Sequence, residues 1–415
     1  MIVGAPTLSA PSLSPARGLL AGLLLVATST ALAAPPPWDF KDGDRVVFVG
    51  DTFIEREQRY GYVETALTLA NADKHVTFRN LGWSGDTVRG LSRAGFDPPE
   101  AGFRELVKQV TDSKPTVLVV GYGMAESFDG EAGLPRFVEG YNAFLDAVAP
   151  LKARLVLLSP LPHEKMPAPL PDPEAHNRDL KLYSEAIRSI AQARGTAFID
   201  LFDAVARHRE GRGSLGAGKG AIVPGSPTYD TDNGIHLTAG GYARLAKLPE
   251  MGLTSSASLE AAFAGTPLPA KFEQAGPAPG KIAPLGRGGL GSVGGVIRLT
   301  GLEPGRYTLK ADGETIATRT AAEWAAGVTC TFHPEAGRVE ALTKAVVAKN
   351  LLFFYRWRPQ NITYLFGFRK HEQGQNSVEI PQFDPLVDAK EKEIAELRKP
   401  ASHTYELIRE TEAAR

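Results

Sequence analysis

Short apolar runs alternate with longer amphipathic segments along the first 250 residues. Five runs of mostly apolar residues are typical of buried strands: 45–49, 76–80, 116–120, 154–158 and 196–199. Four intervening segments repeat apolar residues at helical spacing: 60–70, 101–110, 134–148 and 175–193. This alternation predicts a three-layer α/β/α sandwich over residues 38–250, built on a parallel, flavodoxin-like sheet with helices on both faces.

The pattern changes after this region. Residues 265–295 are rich in Gly, Pro and Ala, which predicts a linker or an irregular insertion. Alternating residues and two turn signals, Glu303-Pro-Gly305 and Asp312-Gly313, then predict a small β unit over 296–333. We expect residues 334–415 to form a helical, aromatic-rich C-terminal extension. The aromatic stretch 353–368 is interpreted as core, with stacking on sugar rings as the alternative.

The N-terminus has the pattern of a secretory signal. Arg17 precedes an apolar run from Leu19 to Val26, and Ala31-Leu-Ala33 offers a small-x-small cleavage site. We therefore predict a signal peptide over residues 1–33 and an exported protein, periplasmic or extracellular, with no membrane contact after cleavage. An uncleaved anchor is the alternative.

Composition narrows the class of function. The chain has 415 residues and a formal net charge of -1, without the basic field that nucleic-acid binders carry. His163, His176 and Glu164 do not have the spacing of metal ligands on one helix face, so we predict no metal and no cofactor. The oligomeric state stays open.

Polar turns follow three of the predicted strands, where ligands bind in parallel sheets. Gly50-Asp51-Thr52 would lift a hydroxyl above the sheet edge, and the glycines of the Gly82–Thr87 loop allow close backbone approach. His236 precedes a predicted helix at 239–248 and can point back towards Thr52. A hydroxyl, an imidazole and amide-rich turns are what acyl-ester hydrolysis requires.

These segments also carry a family resemblance, over about residues 44–250. Gly50-Asp51-Thr52, Asn80-Leu-Gly82-Trp-Ser-Gly85-Asp86-Thr87 and Asp232-Asn233-Gly-Ile-His236 resemble the sequence blocks of SGNH (GDSL-type) esterases and lipases. The resemblance implies that Thr52 stands in place of the nucleophilic serine, with His236 as base and Asp232 or Asn233 orienting it. The amides of Thr52 and Gly85 would hold the oxyanion. The implied partner is a small ester or an acylated glycan, such as a carbohydrate acetyl ester.

Three positions depart from the family pattern. Threonine replaces serine, and Asn233 stands three residues before His236 where the family has aspartate. The family's Gly-x-Asn-Asp block corresponds to Gly123-Met-Ala-Glu126, so Ala125 has no side-chain amide to donate to the oxyanion. Asp51 and Glu126 are possible auxiliaries, and Glu55 is a further substitute carboxylate by position. The structural alternatives are helix capping for Thr52 and a turn carboxylate for Asp51. Two functions therefore stay open: an ester hydrolase, or a catalytically impaired module that binds a glycan or protein.

Overall fold

The computed structural model describes residues 37–216, 229–251, 271–275, 296–329, 336–372, 374, 376–399, 401, 403 and 405–410. The predicted signal peptide and most of the predicted linker lie outside these residues. Within the described ranges, no helix is long and apolar enough to cross a membrane.

A parallel five-stranded sheet forms the centre of the first region, in the order β2-β1-β3-β4-β5. Its strands are β1 Arg45–Gly50, β2 Thr77–Asn80, β3 Val117–Gly121, β4 Arg154–Leu158 and β5 Ala197–Ile199. This order is that of a flavodoxin-like sheet, which confirms the prediction. The order reverses between β1 and β3, so the carboxyl ends of these two strands open a crevice between their outgoing turns.

Helices cover both faces of the sheet. They are α1 Thr52–Tyr60, α2 Tyr62–Ala70, α3 Pro99–Asp112, α4 Gly130–Val148, α5 Glu174–Arg194, α6 Leu201–Gly216 and α7 Ala239–Leu245. One buried core joins the sheet to α1, α2, α6 and α7, and a second joins it to α3, α4 and α5. The predicted three-layer sandwich is thereby confirmed.

The helix predicted at 60–70 begins later and is preceded by a separate helix. Gly61 divides α1 from α2 with a φ of 65°, a left-handed conformation that glycine adopts without strain. The Glu57 carboxylate in α1 accepts a hydrogen bond from the backbone N–H of Val63, at 2.7 Å. This bond satisfies an amide of the first turn of α2, which has no partner within its own helix.

The second region contains two three-stranded antiparallel sheets, ordered β10-β7-β6 and β11-β8-β9. The elements are β6 Lys271–Ala275, β7 Val296–Thr300, β8 Arg306–Ala311, β9 Glu314–Thr320, α8 Ala321–Ala326, β10 Val328–Thr329 and β11 Tyr405–Arg409. A shared core around the fully buried Trp324 contacts both sheets. The predicted linker thus contributes β6, and the predicted helical extension ends in a strand that completes the β unit. Both strands were missed because pairing partners distant in sequence leave no local signal.

Three helices precede that last strand: α9 Ala336–Trp357, α10 Ile362–Leu365 and α11 Phe383–Leu397. Helix α9 packs against α1, α2 and β2 of the sandwich. Phe353 and Trp357, from the aromatic stretch, are partly buried against the core on the α3–α5 side, whereas Phe368 is exposed. The extension therefore packs on the region that contains the candidate site.

Candidate active site

A cleft lies beyond the carboxyl ends of β1, β3 and β4, with about 480 Å³ of empty space, part of it open to solvent. Its lining comprises Asp51, Thr52, Phe53, Arg56, Gly121, Tyr122, Met124, Ser159, Pro160, Leu161, His163, Ile235, His236, Leu237 and Tyr242. The predicted hydroxyl and imidazole, Thr52 and His236, therefore share one cleft.

Thr52 is the first residue of α1 and is only 8% exposed. Asp51 is the N-cap, and its side chain accepts a hydrogen bond from the Phe53 N–H at 3.1 Å. The capping role considered for Thr52 thus belongs to Asp51, which acts as a turn carboxylate. The N–H of Thr52, at the first position of the helix, has no partner within the helix and is free to bind an anion.

The Gly82–Thr87 loop places its Gly85 amide on the Thr52 hydroxyl. The Gly85 N–H donates to Thr52 Oγ1 at 3.0 Å, and the φ of Gly85 is 68°. A Cβ at Gly82 would lie 2.2 Å from the backbone nitrogen of Glu55, so only glycine lets this loop lie against α1. One of the two amides assigned to the oxyanion by the family resemblance, that of Gly85, therefore contacts the hydroxyl directly.

Buried polar groups hold this loop from below. Asp86 and Arg93, both with fully buried side chains, form an ion pair at 2.7 Å, and the hydroxyl of Tyr122 donates to the same carboxylate oxygen. Asn80 accepts from the Gly82 N–H and donates to the Ile54 carbonyl. Because every partner is satisfied inside the core, the loop has one defined position.

The environment of His236 differs from the expected one. To orient the histidine, Asn233 would have to accept the imidazole N–H through its amide oxygen. That oxygen instead accepts the backbone N–H groups of Ile235 and His236, at 3.1 and 2.9 Å. The Asn233 Nδ2 then faces His236 Nδ1 at 3.2 Å and donates to it. Asparagine thus favours the tautomer with the proton on Nε2.

Asp232 contacts a cation instead of the histidine. Its carboxylate pairs with Arg56 at 3.0 Å, where Arg56 extends from α1. No hydrogen bond joins the Thr52 hydroxyl to the His236 ring within the part of the chain that the structure describes. Catalytic hydrogen bonds are often long in ligand-free sites, so the shared cleft is the firmer observation.

The remaining carboxylate candidates bind backbone amides. Glu126 accepts from the Val88 N–H at 2.8 Å and from the Gly123 N–H at 3.1 Å, so it links the loop after β2 to the turn after β3. Glu55 accepts from the Ser84 N–H at 2.5 Å. Neither side chain lines the cleft, which leaves both with a positioning role.

The C-terminal extension reaches the Gly82–Thr87 loop through Arg358. Its guanidinium lies 3.5 Å from the centroid of the Trp83 ring and pairs with Glu55 at 3.2 Å. Trp357 packs edge-on against the same tryptophan, with 5.9 Å between ring centroids. Residues beyond the predicted domain boundary at 250 thus support the Trp83–Gly85 backbone.

Sequence reasoning missed two cleft residues, Arg56 and His163. Arg56 stands four residues after Thr52, one turn along the helix that the strand-end turn begins. His163 follows β4, and the rule that strand carboxyl ends carry ligand-binding residues would have found it if applied to all strands. Only the turns after the first three strands were considered.

Burial governs the charge state of the histidines. Desolvation lowers the pKa of His236 below its usual value; the Arg56 charge lowers it further, and Asp232 partly opposes this. Desolvation, with smaller effects of His176, Arg209 and His236, lowers the pKa of His163 to about 4. Both rings are therefore neutral at pH 7.

Asp51 should make the fold less stable as the pH rises. Burial, with the Glu126 charge as the next cause, raises the pKa of Asp51 to about 8. A carboxyl whose pKa is higher in the folded state stabilises the protein while protonated, and this contribution is lost from about pH 4 to 8. Between pH 6 and 8, the unfolding free energy of the wild type should fall by about 1–2 kcal/mol more than that of Asp51→Asn.

Urea unfolding at pH 6, 7 and 8 measures this difference. The exposed Asp73→Asn serves as the control and should follow the wild type. If the asparagine lowers the unfolding free energy equally at every pH, the comparison is unaffected, because it uses only the change of that free energy with pH. Parallel curves for Asp51→Asn and the wild type would contradict the assignment.

Comparison with known proteins adds a family and a fold. Residues 48–244 match the model of the GDSL-like lipase/acylhydrolase family. No curated protein sequence matches the chain. A gut microbial diltiazem-metabolizing enzyme of known structure is 15% identical, with a TM-score of 0.58 over 92% of this chain and 100% of its own. Its fold is therefore shared by both regions of this protein.

Two acetylxylan esterase structures cover about half of this chain. A catalytic mutant of the enzyme from Geobacillus stearothermophilus is 18% identical, covers 51% of this chain and 96% of its own, with a TM-score of 0.37. A second acetyl xylan esterase is 18% identical and covers 50% of this chain and 98% of its own, with a TM-score of 0.38.

Proposed function

Because residues 48–244 form a domain of the GDSL-like lipase/acylhydrolase family, we propose that this protein hydrolyses short acyl esters, with a carbohydrate acetyl ester as the favoured substrate class. The observation that carries the proposal is the shared cleft of Thr52 and His236, with the Gly85 amide on the threonine hydroxyl. The proposal includes export, supported by the signal-like residues 1–33, which would give access to extracellular polysaccharides.

The proposed reaction proceeds in two steps. Thr52 Oγ1 attacks the acyl carbon while His236 Nε2 takes its proton, and the N–H groups of Thr52 and Gly85 stabilise the oxyanion. The imidazolium then protonates the leaving alcohol, which gives an acyl-threonine. Water attacks this ester while His236 takes its proton, and the imidazolium then returns that proton to Thr52 Oγ1 as the acid leaves. No group on the chain other than these donors and this base is required.

The neutral tautomer of His236 limits the rate of this reaction. To act as a base, His236 must have an unprotonated Nε2, so its proton must lie on Nδ1. There the Nδ1–H would face the side-chain N–H of Asn233, and the two donors cannot form a hydrogen bond. The γ-methyl of Thr52 also restricts χ1. We therefore propose a slow enzyme, because the nucleophile and the base both depart from their most reactive form.

Replacing Thr52 with alanine should lower the hydrolysis of 4-nitrophenyl acetate at least about 10-fold, because the attacking oxygen is lost. The expected decrease is no larger because the wild-type rate is itself low. Thr52→Ser, which keeps the hydroxyl and removes the methyl group, is the matched control and should equal or exceed the wild type. Initial rates of the purified proteins give the measurement. Equal rates for wild type, Thr52→Ala and His236→Ala would remove the mechanism.

A second candidate function is supported by the same departures. Asn233 donates to His236 Nδ1, and no side-chain amide is present at Ala125 to complete the oxyanion donors. A domain that has lost turnover can still bind the glycan. Glycan binding that survives Thr52→Ala, together with no turnover of any ester by the wild type, would favour this binding module.

A further inference from the structure

Three aromatic rings beside the cleft stack on one another. Phe128 lies on His176 with 4.2 Å between ring centroids and an angle of 26° between the planes. His163 lies on His176 at 4.7 Å and 27°, and Phe128 is 6.1 Å from His163. We call these three residues the aromatic stack. It contains a large apolar ring, Phe128, that is 63% exposed.

The stack extends from the cleft to solvent. His163 lines the cleft together with Thr52 and His236, and Phe128 provides the exposed ring. The acyl group of a substrate would occupy the space near Thr52. The alcohol part would therefore extend past His163 onto the stack.

Hydrogen bonds hold the stack in place. The Ser127 hydroxyl donates to the Met124 carbonyl at 2.7 Å and lies 3.0 Å from His176 Nε2. Asn177 accepts from the backbone N–H of His163 at 2.8 Å and donates to its carbonyl at 3.0 Å. A preorganised ring face binds a ligand with little loss of side-chain entropy.

One polar atom of the stack has no partner. The Nε2 of His163 is buried and lacks a hydrogen bond to any described residue. A buried polar atom without a partner is costly, and a ligand hydroxyl would remove that cost. Because the ring is neutral, its nitrogen suits an uncharged hydroxyl better than an anion.

A metal site does not explain these histidines. Rings stacked face to face direct their nitrogens outwards in their planes and do not converge on one ion. Within the described ranges, no three His, Cys, Asp or Glu side chains form a group that could hold a metal. A metal site would also leave the exposed face of Phe128 unexplained.

We propose that the aromatic stack is the subsite for the sugar ring of the substrate. The apolar face of a pyranose would lie on Phe128, and one of its hydroxyls would bind His163 Nε2 once the ring turns this buried atom towards the cleft. The acetyl ester on the same ring would then reach Thr52. This inference rests on the proposed function for the reaction, but the binding of a saccharide can be tested without it.

The first test compares two esters, an acetylated xylotriose and ethyl acetate, which has no ring. Phe128→Ala should lower the ratio of kcat/KM for the sugar ester over ethyl acetate about 5–10-fold, mainly through KM. Phe128→Trp, which keeps an aromatic face, should restore the ratio. Phe96→Ala is the control, because Phe96 is 90% exposed and does not line the cleft.

The second test measures binding without catalysis. Calorimetry with unacetylated xylotriose should give a Kd about 5–10-fold weaker for Phe128→Ala than for the wild type. If no ester is turned over but this difference is found, the proposed function fails and the subsite stands. Equal losses on both esters, or no saccharide binding by the wild type at millimolar concentration, overturns the subsite. Phe128 is exposed, so its replacement should leave the thermal transition in place.

Discussion

Replacing Asn233 with aspartate should raise the rate of ester hydrolysis by about 10²–10⁴-fold. The reverse change in a serine protease triad costs about 10⁴-fold, because the amide selects the wrong tautomer and stabilises no imidazolium. In this protein the Asn233 amide donates to His236 Nδ1. The side chain already stands where the orienting carboxylate belongs.

The substitution needs no rearrangement of the turn. One carboxylate oxygen would keep the bonds from the Ile235 and His236 N–H groups, which now go to Asn233 Oδ1. The other would accept a hydrogen bond from the Nδ1–H of His236. His236 would then present an unprotonated Nε2 to Thr52, and its positive charge during the reaction would be stabilised.

Steady-state kinetics with 4-nitrophenyl acetate measure the gain, and it should appear in kcat. The double variant Asn233→Asp/Thr52→Ala is the control and should lose the gain entirely, which separates Thr52 chemistry from background hydrolysis by an added carboxylate. A folded Asn233→Asp protein with the wild-type rate would show that the tautomer of His236 does not limit the reaction.

Replacing Lys349 with methionine should destabilise the fold by about 3–5 kcal/mol. Lys349 is fully buried in α9, and its ammonium contacts Glu64 of α2 at 2.8 Å and the Phe78 carbonyl of β2 at 2.9 Å. Asn350 donates to the same carboxylate at 3.0 Å. Burial raises the pKa of Glu64 and the Lys349 charge opposes this, so removing the ammonium leaves a buried carboxyl with one neutral donor, which costs more than the pair contributes.

Urea unfolding followed by tryptophan fluorescence tests this prediction. The double variant Lys349→Met/Glu64→Gln should recover much of the loss, because no unpaired charge remains. Lys344→Met, which removes an exposed ion pair with Glu340 on the same helix, should change stability by less than about 1 kcal/mol. A midpoint for Lys349→Met close to that of the wild type would mean that α9 is not an integral part of the sandwich.

The sequence predicted the sandwich because its signals are local. Strands buried on both faces need continuous apolar runs, and covering helices need an apolar stripe, so β4 at Arg154–Leu158 was predicted at its observed bounds. The place of Thr52 at the edge of the sheet also followed from sequence, since parallel strands end at one edge, whereas His236 was brought to the same cleft only by the family motif. The motifs in those turns also carried the resemblance to SGNH (GDSL-type) esterases, whose family model matches residues 48–244.

Tertiary structure alone decided the partners of the polar side chains. Asp232, one residue from the expected position, pairs with Arg56 from α1, and Glu55 pairs with Arg358 from the far end of the chain. The residue types in a sequence show which hydrogen bonds and ion pairs a side chain can form. They do not show which partner the fold brings within hydrogen-bonding distance. The direction of the Asn233 amide follows from two backbone N–H groups that only the folded turn presents together.

The sequence by itself thus determined the layers, the strand-end cleft and the residues that could act there. The fold decided their charge states and orientations, the strand pairing of β11 with β8, and the seating of α9 on the sandwich. The physical reason is one of range. Secondary structure follows from periodicity over a few residues, whereas hydrogen bonds and desolvation depend on atoms that folding brings together from distant parts of the chain.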